Sequence, residues 1–373
     1  MKNKPISLSR KTFAVIFIGK YDFKEKKGGI EYFSSQLFKK FKDKMFFIFL
    51  SKKKIEGKSY LNLMVPFEFL EAPFAVLPFK PLLKVKIIHI NLPNPFLEAQ
   101  LLLYWICKSK KQKLIVTYHA DIPYYTMFHK ILDLVRFAWL FPLLALSDLI
   151  ITTSYAYAKT SFVLRRFERK ILIIPLGVEL PKYASFKRKG KLKKLLFIGR
   201  LCKYKGLEYL IRACKLIEKE DFLLQIAGTG PLFKELTKLV RRLGLEKRVK
   251  FLGEVSEKMK RKILKESDIF ILPSINRGEA FGLAALEAMA YGIPIISTNI
   301  RGSGITILNL HGKTGYVVEP KDYKKLAFYL KKLLRNESLR KRLGRNARKR
   351  AFLFSSDKMI ESYRRVYSQF LKS

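Results

Sequence analysis

Short apolar runs alternate with longer amphipathic stretches along most of the chain, and this alternation constrains the fold more than any other feature. The run at 13–18 reads as a buried strand, and 30–41 reads as a helix. Further strands are expected at 46–50, 87–90, 114–118, 149–153 and 171–174. The pattern then restarts. A strand at 195–198 precedes a helix at 206–217, and a strand at 222–227 runs into a Gly-Thr-Gly-Pro turn at 228–231 and a helix to 243. Strands at 249–252, 269–272 and 294–297 follow, with helices between them. Strands and helices alternating at these lengths predict an α/β fold, with parallel sheets covered by helices on both faces. Two such series in 373 residues predict two doubly wound, Rossmann-like domains, at 1–174 and 194–354. The stretch 175–193 is rich in Pro, Gly and Lys, lacks periodicity and reads as a linker. In the closing segment, 355–373, a helix is expected at 355–371, with Tyr363, Val366, Tyr367 and Phe370 at helical spacing.

Hydrophobic residues make up 49% of the chain, which excludes a mainly disordered state. Cys107, Cys202 and Cys214 cannot all pair, and none belongs to a Cys-x-x-Cys, so a reducing compartment is expected. The longest apolar run, 137–146, is interrupted by Pro142 and falls short of the roughly 20 residues that span a bilayer. The apolar stretch after the basic first residues is too short for a secretory signal. Charge is the unusual quantity: 75 Lys and Arg against 30 Asp and Glu leave +45. Such a field attracts polyanions, whether nucleic acid, anionic lipid or phosphorylated small molecules.

Doubly wound sheets bind ligands outside the carboxyl ends of their strands. Two such ends facing each other would enclose an active-site cleft, and the distinctive residues fall at these ends. Gly199-Arg200 closes one strand and Lys205-Gly206 opens the next helix; the fork of Arg200 and the point charge of Lys205 suit one anion. Glu279-Ala280-Phe281-Gly282-Leu283 leads into a helix whose first amides suit a phosphate, and Glu279 before it can accept hydrogen bonds from hydroxyls. Glu287 lies among Ala285, Leu286, Ala288 and Met289, and a carboxylate in so apolar a stretch needs a partner. Gly28-Gly29 lets backbone approach a phosphate or sugar closely, although a flexible turn explains the pair equally well. His119, after the strand at 114–118, is placed to contact a polar ligand. His89, His129 and His311 form no metal-like spacing with it, and there is no Asp-x-Asp to hold a diphosphate-bound magnesium. Cations and helix amino ends would stabilise a leaving diphosphate instead, so no metal or other cofactor is expected.

These residues together resemble the retaining glycosyltransferases of family 4, the group-1 type with the GT-B fold. The resemblance rests on Gly199-Arg200 with Lys205-Gly206, Ala227-Gly228-Thr229-Gly230-Pro231, Phe251-Leu252-Gly253, Glu279 with Glu287, Glu287-Ala288-Met289-Ala290 before Gly292 and Pro294, and Thr314-Gly315-Tyr316-Val317-Val318-Glu319-Pro320. A thinner match covers Gly28-Gly29-Ile30-Glu31, Thr117-Tyr118-His119-Ala120-Asp121, Thr153-Ser154 and Ile174-Pro175-Leu176-Gly177-Val178. Tyr-His-Ala-Asp and Ser303-Gly304 before Asn309 resemble a mannosyltransferase-like branch of surface polysaccharide synthesis. Where the commoner pattern has a Glu after the glycines at 302–304, this chain has Ile305-Thr306.

The resemblance implies an acceptor-binding first domain, a nucleotide-sugar-binding second domain and a last helix that crosses back onto the first. It implies that Arg200 and Lys205 hold the donor diphosphate, Glu279 the transferred sugar and Glu287 the ribose. Phe281, Gly282 and Leu283 would offer backbone amides, and the base would pack at Val249, Lys250 and Phe251. Gly228 would line the donor site, Gly28 and Gly29 would approach the phosphates, and His119 would contact the sugar near the reacting centre. The implied reaction is transfer of a hexose, with mannose from GDP-mannose favoured, to a glycan or lipid-linked acceptor by front-face attack. Two other readings stay open at this stage: a basic nucleic-acid-binding protein, and a catalytically silent, membrane-associated relative. Basic residues beside the aromatic stretches 67–70, 74–79 and 124–128 suggest peripheral binding to an anionic membrane on its cytoplasmic face. Nucleic acid is not expected as a partner, since no arginine-rich tail, zinc knuckle or recognition-helix motif accompanies the charge.

Overall fold

A computed structural model describes residues 13–22, 28–52, 55–69, 72–107, 112–122, 127–182 and 192–372. Residues 183–191 of the expected linker and the aromatic residues at 123–126 lie outside them. Contacts divide the chain into two units, Met1–Pro175 with Met359–Ser373, and Leu176–Lys358.

The first unit runs β1 (Val15–Tyr21), α1 (Gly29–Phe41), β2 (Phe46–Ser51), β3 (Ile55–Gly57), β4 (Tyr60–Met64), a small ribbon of β5 (Glu68–Phe69) and β6 (Ala72–Pro73), and α2 (Phe79–Leu82). It continues with β7 (Ile87–Leu92), α3 (Pro95–Cys107), β8 (Lys113–Tyr118), α4 (Met127–Leu146), β9 (Leu149–Thr152), α5 (Tyr155–Thr160) and β10 (Ile171–Ile173). Its main sheet has the order β10-β9-β8-β7-β1-β2-β4-β3, parallel except for β3 at the edge. The central strands are buried throughout, as strands covered on both faces must be. Phenylalanine fills much of the core: Phe17 lies 5.4 Å from Phe47 and 6.2 Å from Phe33, ring centre to ring centre. The sequence pattern hides β4 because a polar residue interrupts it. Asn62 is buried there and donates to Asp22 Oδ2 at 2.7 Å. Pro142, which breaks the apolar run in the sequence, does not end α4.

The second unit runs β11 (Lys193–Ile198), α6 (Leu207–Leu216), β12 (Phe222–Ala227), α7 (Phe233–Arg242), β13 (Val249–Gly253), α8 (Glu257–Glu266) and β14 (Ile269–Leu272). It continues with α9 (Leu283–Ala290), β15 (Ile295–Thr298), α10 (Ile305–Leu308), β16 (Gly315–Val318), α11 (Tyr323–Arg335) and α12 (Glu337–Ala351). Its sheet, β13-β12-β11-β14-β15-β16, is wholly parallel. The order reverses direction between β11 and β14 here, and between β1 and β7 in the first unit. Such switch points open a crevice at the strand carboxyl ends, because successive helices leave to opposite faces.

The last helix, α13 (Ser356–Lys372), packs from Met359 onward with the first unit. Tyr363 and Tyr367 are buried, and both hydroxyls enter a polar chain beneath the sheet's central strands. His89 on β7 bonds the Tyr367 hydroxyl through Nδ1 at 2.6 Å and Thr117 Oγ1 through Nε2 at 2.7 Å. Thr117 lies 3.2 Å from the Tyr363 hydroxyl. Burial, and then the neighbouring His119, lower the His89 pKa to about 3. Burial alone lowers that of His119 to about 3. Both imidazoles are therefore neutral in the folded protein but titrate near 6.5 once unfolded, so their contribution to stability is complete above that pH and is lost as pH falls toward 3. Each adds up to about 1.4 kcal/mol per pH unit to that fall. Urea unfolding from pH 7 to pH 4 should show a shallower decline in His89→Gln than in the wild type; equal slopes would show that His89 does not stay neutral on folding.

Candidate active site

Residues singled out by the sequence converge at the switch point of the second unit. β11 ends at Ile198, and Gly199 and an exposed Arg200 follow it. The chain then makes a tight turn at Lys203–Lys205 and reverses at Gly206, whose φ is +64°. A Cβ there would lie 2.2 Å from the Pro273 carbonyl oxygen, so only glycine lets this turn press against the loop after β14. Ile275 N donates to Tyr204 O at 2.7 Å and fastens the two loops. The result places Lys205 Nζ 2.6 Å from Glu279 Oε2, to which Ser274 Oγ also donates at 3.0 Å. Lys205 and Glu279 are both buried. Burial works against the ammonium charge, but the Glu279 carboxylate outweighs it and raises the Lys205 pKa.

Glu279 is held from behind as well. Ser303 Oγ donates to its carbonyl oxygen, and Gly304 N donates to Ala280 O at 2.7 Å. Phe281 turns its ring inward against Phe354. Gly282, at φ +89°, caps α9 without a side-chain bond, so Leu283 and the residues after it present first-turn amides at the helix's positive end. Ile305, standing where the commoner family pattern has a carboxylate, is buried and packs over Gly282.

Glu287 has the partner its surroundings require: Lys260 of α8, 2.7 Å away and also 3.0 Å from Glu257. Burial opposes the Lys260 charge and Glu287 more than restores it. Lys260 lies on another helix, and no spacing in the sequence pointed to it. Gly228 is explained by close approach: a Cβ on it would stand 2.0 Å from the Gly199 carbonyl oxygen, so these two strand ends meet backbone to backbone. On edge strand β13, Val249 belongs to the core, Lys250 is exposed and Phe251 meets the Phe233 ring edge-on at 5.4 Å.

The first unit assembles a second group. Gly28, in extended conformation, precedes α1, and a Cβ on it would fall 2.4 Å from Glu31 Oε2, so this glycine makes room for the Glu31 carboxylate; Gly29 begins the helix. His119 is buried against Phe33 of the same helix, with ring centres 5.0 Å apart. Its Nε2 lies 3.2 Å from Asn91 Oδ1, while Asn91 Nδ2 donates to Ser34 at 3.4 Å. Nε2 therefore carries the proton, and Nδ1 is a lone-pair acceptor with no partner among the described residues. Asn91 had no motif to mark it.

Two doubly wound units in tandem form the GT-B fold. Residues 182–350 match the family of glycosyl transferases group 1, and the chain belongs to that family. It is 33% identical over 272 residues to the D-rhamnosyltransferase WbpZ of Pseudomonas aeruginosa, covering 71% of this chain and 68% of that one. It is 28% identical to the O-antigen chain mannosyltransferase C of Escherichia coli, over 82% of each. Among solved structures, Anabaena Alr3699/HepE in complex with UDP and glucose superimposes with a TM-score of 0.73 at 17% identity, over 95% of this chain and 99% of that one. Sucrose-phosphate synthase from Thermosynechococcus elongatus does so at 0.74 and 19%, over 96% and 99%.

Both side chains of the Lys260–Glu287 pair are largely withdrawn from water, so removing one partner is worse than removing both. Lys260→Ala should lower unfolding free energy by about 2–3 kcal/mol. Lys260→Ala with Glu287→Gln should recover most of it in urea titration. Additive losses would mark the pair as an ordinary surface contact.

Proposed function

We propose that this glycosyltransferase moves a hexose, mannose from GDP-mannose, to a glycan or lipid-linked acceptor with retention of configuration at the transferred carbon. The observation that carries the reading is the buried Lys205–Glu279 pair beside Arg200 and the open amino end of α9. A diphosphate leaving group gains negative charge as the sugar bond breaks, and preorganised cations and amides stabilise that change most where water is excluded. Arg200 and Lys205 take the diphosphate. Glu279, oriented by Ser274, takes hydroxyls of the transferred sugar, and Glu287 takes the ribose. No carboxylate is assigned as nucleophile on the far face of the sugar, so the acceptor attacks from the leaving-group side and the departing phosphate takes its proton. His119, through Nδ1, accepts from a sugar hydroxyl; Gly28 and Gly29 approach the phosphates, Val249, Lys250 and Phe251 flank the base, and Gly228 holds the strand ends that carry Arg200. Mannose is supported by the O-antigen mannosyltransferase relative. Rhamnosyl- and N-acetylglucosaminyl-transferring relatives make the sugar a matter for a donor panel. The +45 charge is assigned to the phosphorylated donor and to peripheral contact with the cytoplasmic face of an anionic membrane, rather than to nucleic acid.

Purified protein assayed with GDP-mannose, UDP-glucose and UDP-N-acetylglucosamine, with product linkage by NMR, tests the donor and the stereochemistry. GDP-mannose should be the substrate, and an inverted product would overturn the mechanism. Arg200→Ala and Lys205→Ala should each lower turnover about a hundredfold. Arg200→Ala is the cleaner test, because Lys205→Ala also leaves Glu279 buried without its cation; wild-type rates in both would remove the phosphate role. Activity should survive EDTA, because Arg200, Lys205 and the α9 dipole supply the charge; an enzyme inactive in EDTA and restored by Mg²⁺ would refute this.

A further inference from the structure

Helices α3 and α4 are built inside out. The charged side chains described on them, Glu98, Asp133 and Arg136, are all buried. Arg136 places Nε and Nη2 on the two Glu98 oxygens at 2.6 and 2.7 Å, and Nη1 on Asp133 Oδ1 at 3.0 Å. The outward positions are apolar instead: Leu103 is 62% exposed, Ile106 66%, Leu134 68%, Ile131 and Val135 54% each, and Leu146 46%. No exposed position described on either helix carries a charge. Composition does not account for this, since α12 exposes Lys341, Arg342, Arg345 and Lys349 in the ordinary way. A helix apolar on its outer side needs an apolar medium there, yet no described helix is long and apolar enough to cross a membrane.

Basic groups flank this face on both sides. Beside α3, the Phe79 ring lies 5.3 Å from Tyr104 and brings α2 alongside, with exposed Lys80 and Lys84. Beside α4, Phe162 packs on Phe137 and Phe141, with the Arg166 guanidinium over Phe162 at 4.0 Å and Arg165 next to it; Glu168 is the acidic residue of that segment. The first unit as a whole has 33 Lys and Arg against 13 Asp and Glu. A second copy docked on this face would set like charges around the contact. An anionic bilayer reverses that sign, attracting the basic rim while the leucines leave water. Phe67 is 53% exposed but is a single ring held against its neighbours, stacking on Phe74 at 4.9 Å while Phe74 meets Phe96 at 5.3 Å, and it does not form a continuous apolar face.

We propose that the α3–α4 face is the membrane-docking surface, lying flat at the headgroup–acyl boundary of an anionic bilayer. This rests on the peripheral-membrane part of the proposed function and names the surface that performs it. The chain's two tryptophans, Trp105 and Trp139, sit on α3 and α4, so intrinsic emission reports this face directly. Vesicles of phosphatidylglycerol with brominated acyl chains should quench at least about half of that emission, and neutral vesicles far less. Leu103→Glu with Leu134→Glu should reduce flotation with anionic vesicles at least tenfold while keeping the circular dichroism and donor hydrolysis of the wild type, and Phe67→Ser should float normally. Flotation without quenching would overturn the assignment of this face and leave membrane binding standing; failure of the wild type to float would overturn both. A lipid-free dimer that the double substitution splits would reassign the face to self-association.

Discussion

An ammonium and a carboxylate held 2.6 Å apart out of water, Lys205 and Glu279, set the terms for the second unit. Neither charge is stable alone in that place, and breaking a buried pair is strongly unfavourable. The two residues come from opposite sides of the switch point, so the pair forms only when the turn after β11 and the loop after β14 adopt one mutual position. Gly206 against the Pro273 carbonyl, Ser274 on the same carboxylate and Ser303 on the Glu279 backbone all serve that registration. Arg200 and the amino end of α9 are then placed as a consequence.

The first unit uses the same kind of constraint differently. Its polar chain of His89, Thr117, Tyr363 and Tyr367 is neutral and satisfied, and it fastens a helix rather than a loop. His119 sits close to it but ends on an open lone pair. A neutral acceptor fixed by Asn91 suits hydroxyl recognition, whereas an imidazolium would have no lone pair to offer.

Much of this was legible in the sequence because doubly wound folds declare themselves through uninterrupted apolar strands. β12 and β14 stand at the residues their apolar runs predict. β4 was missed because Asn62 breaks its run, and α4 because its apolar run, interrupted by Pro142, was weighed only as a bilayer span. Arg200, Lys205, Glu279 and Gly282 were marked by type and by position at strand ends. Lys260 and Asn91 could not be, since each acts through a contact between elements distant in the chain. The outward face of α4 was equally hidden: an apolar residue in the sequence does not say which way it faces, and only the burial of Asp133 and Arg136 reveals it.

The return of α13 to the first unit bears on how the chain is made. Tyr367 meets a partner 278 residues earlier, and Tyr363 one 246 residues earlier. During synthesis the first sheet emerges whole, yet its final helix follows only after the entire second unit has been translated. Contacts of such separation form late, since loop closure must precede them. Until then His89 and Thr117 lack the two tyrosines and the floor of the sheet is uncovered. The nascent first unit thus stays partly open for as long as the second unit takes to be made, and is exposed to proteases and chaperones throughout that interval.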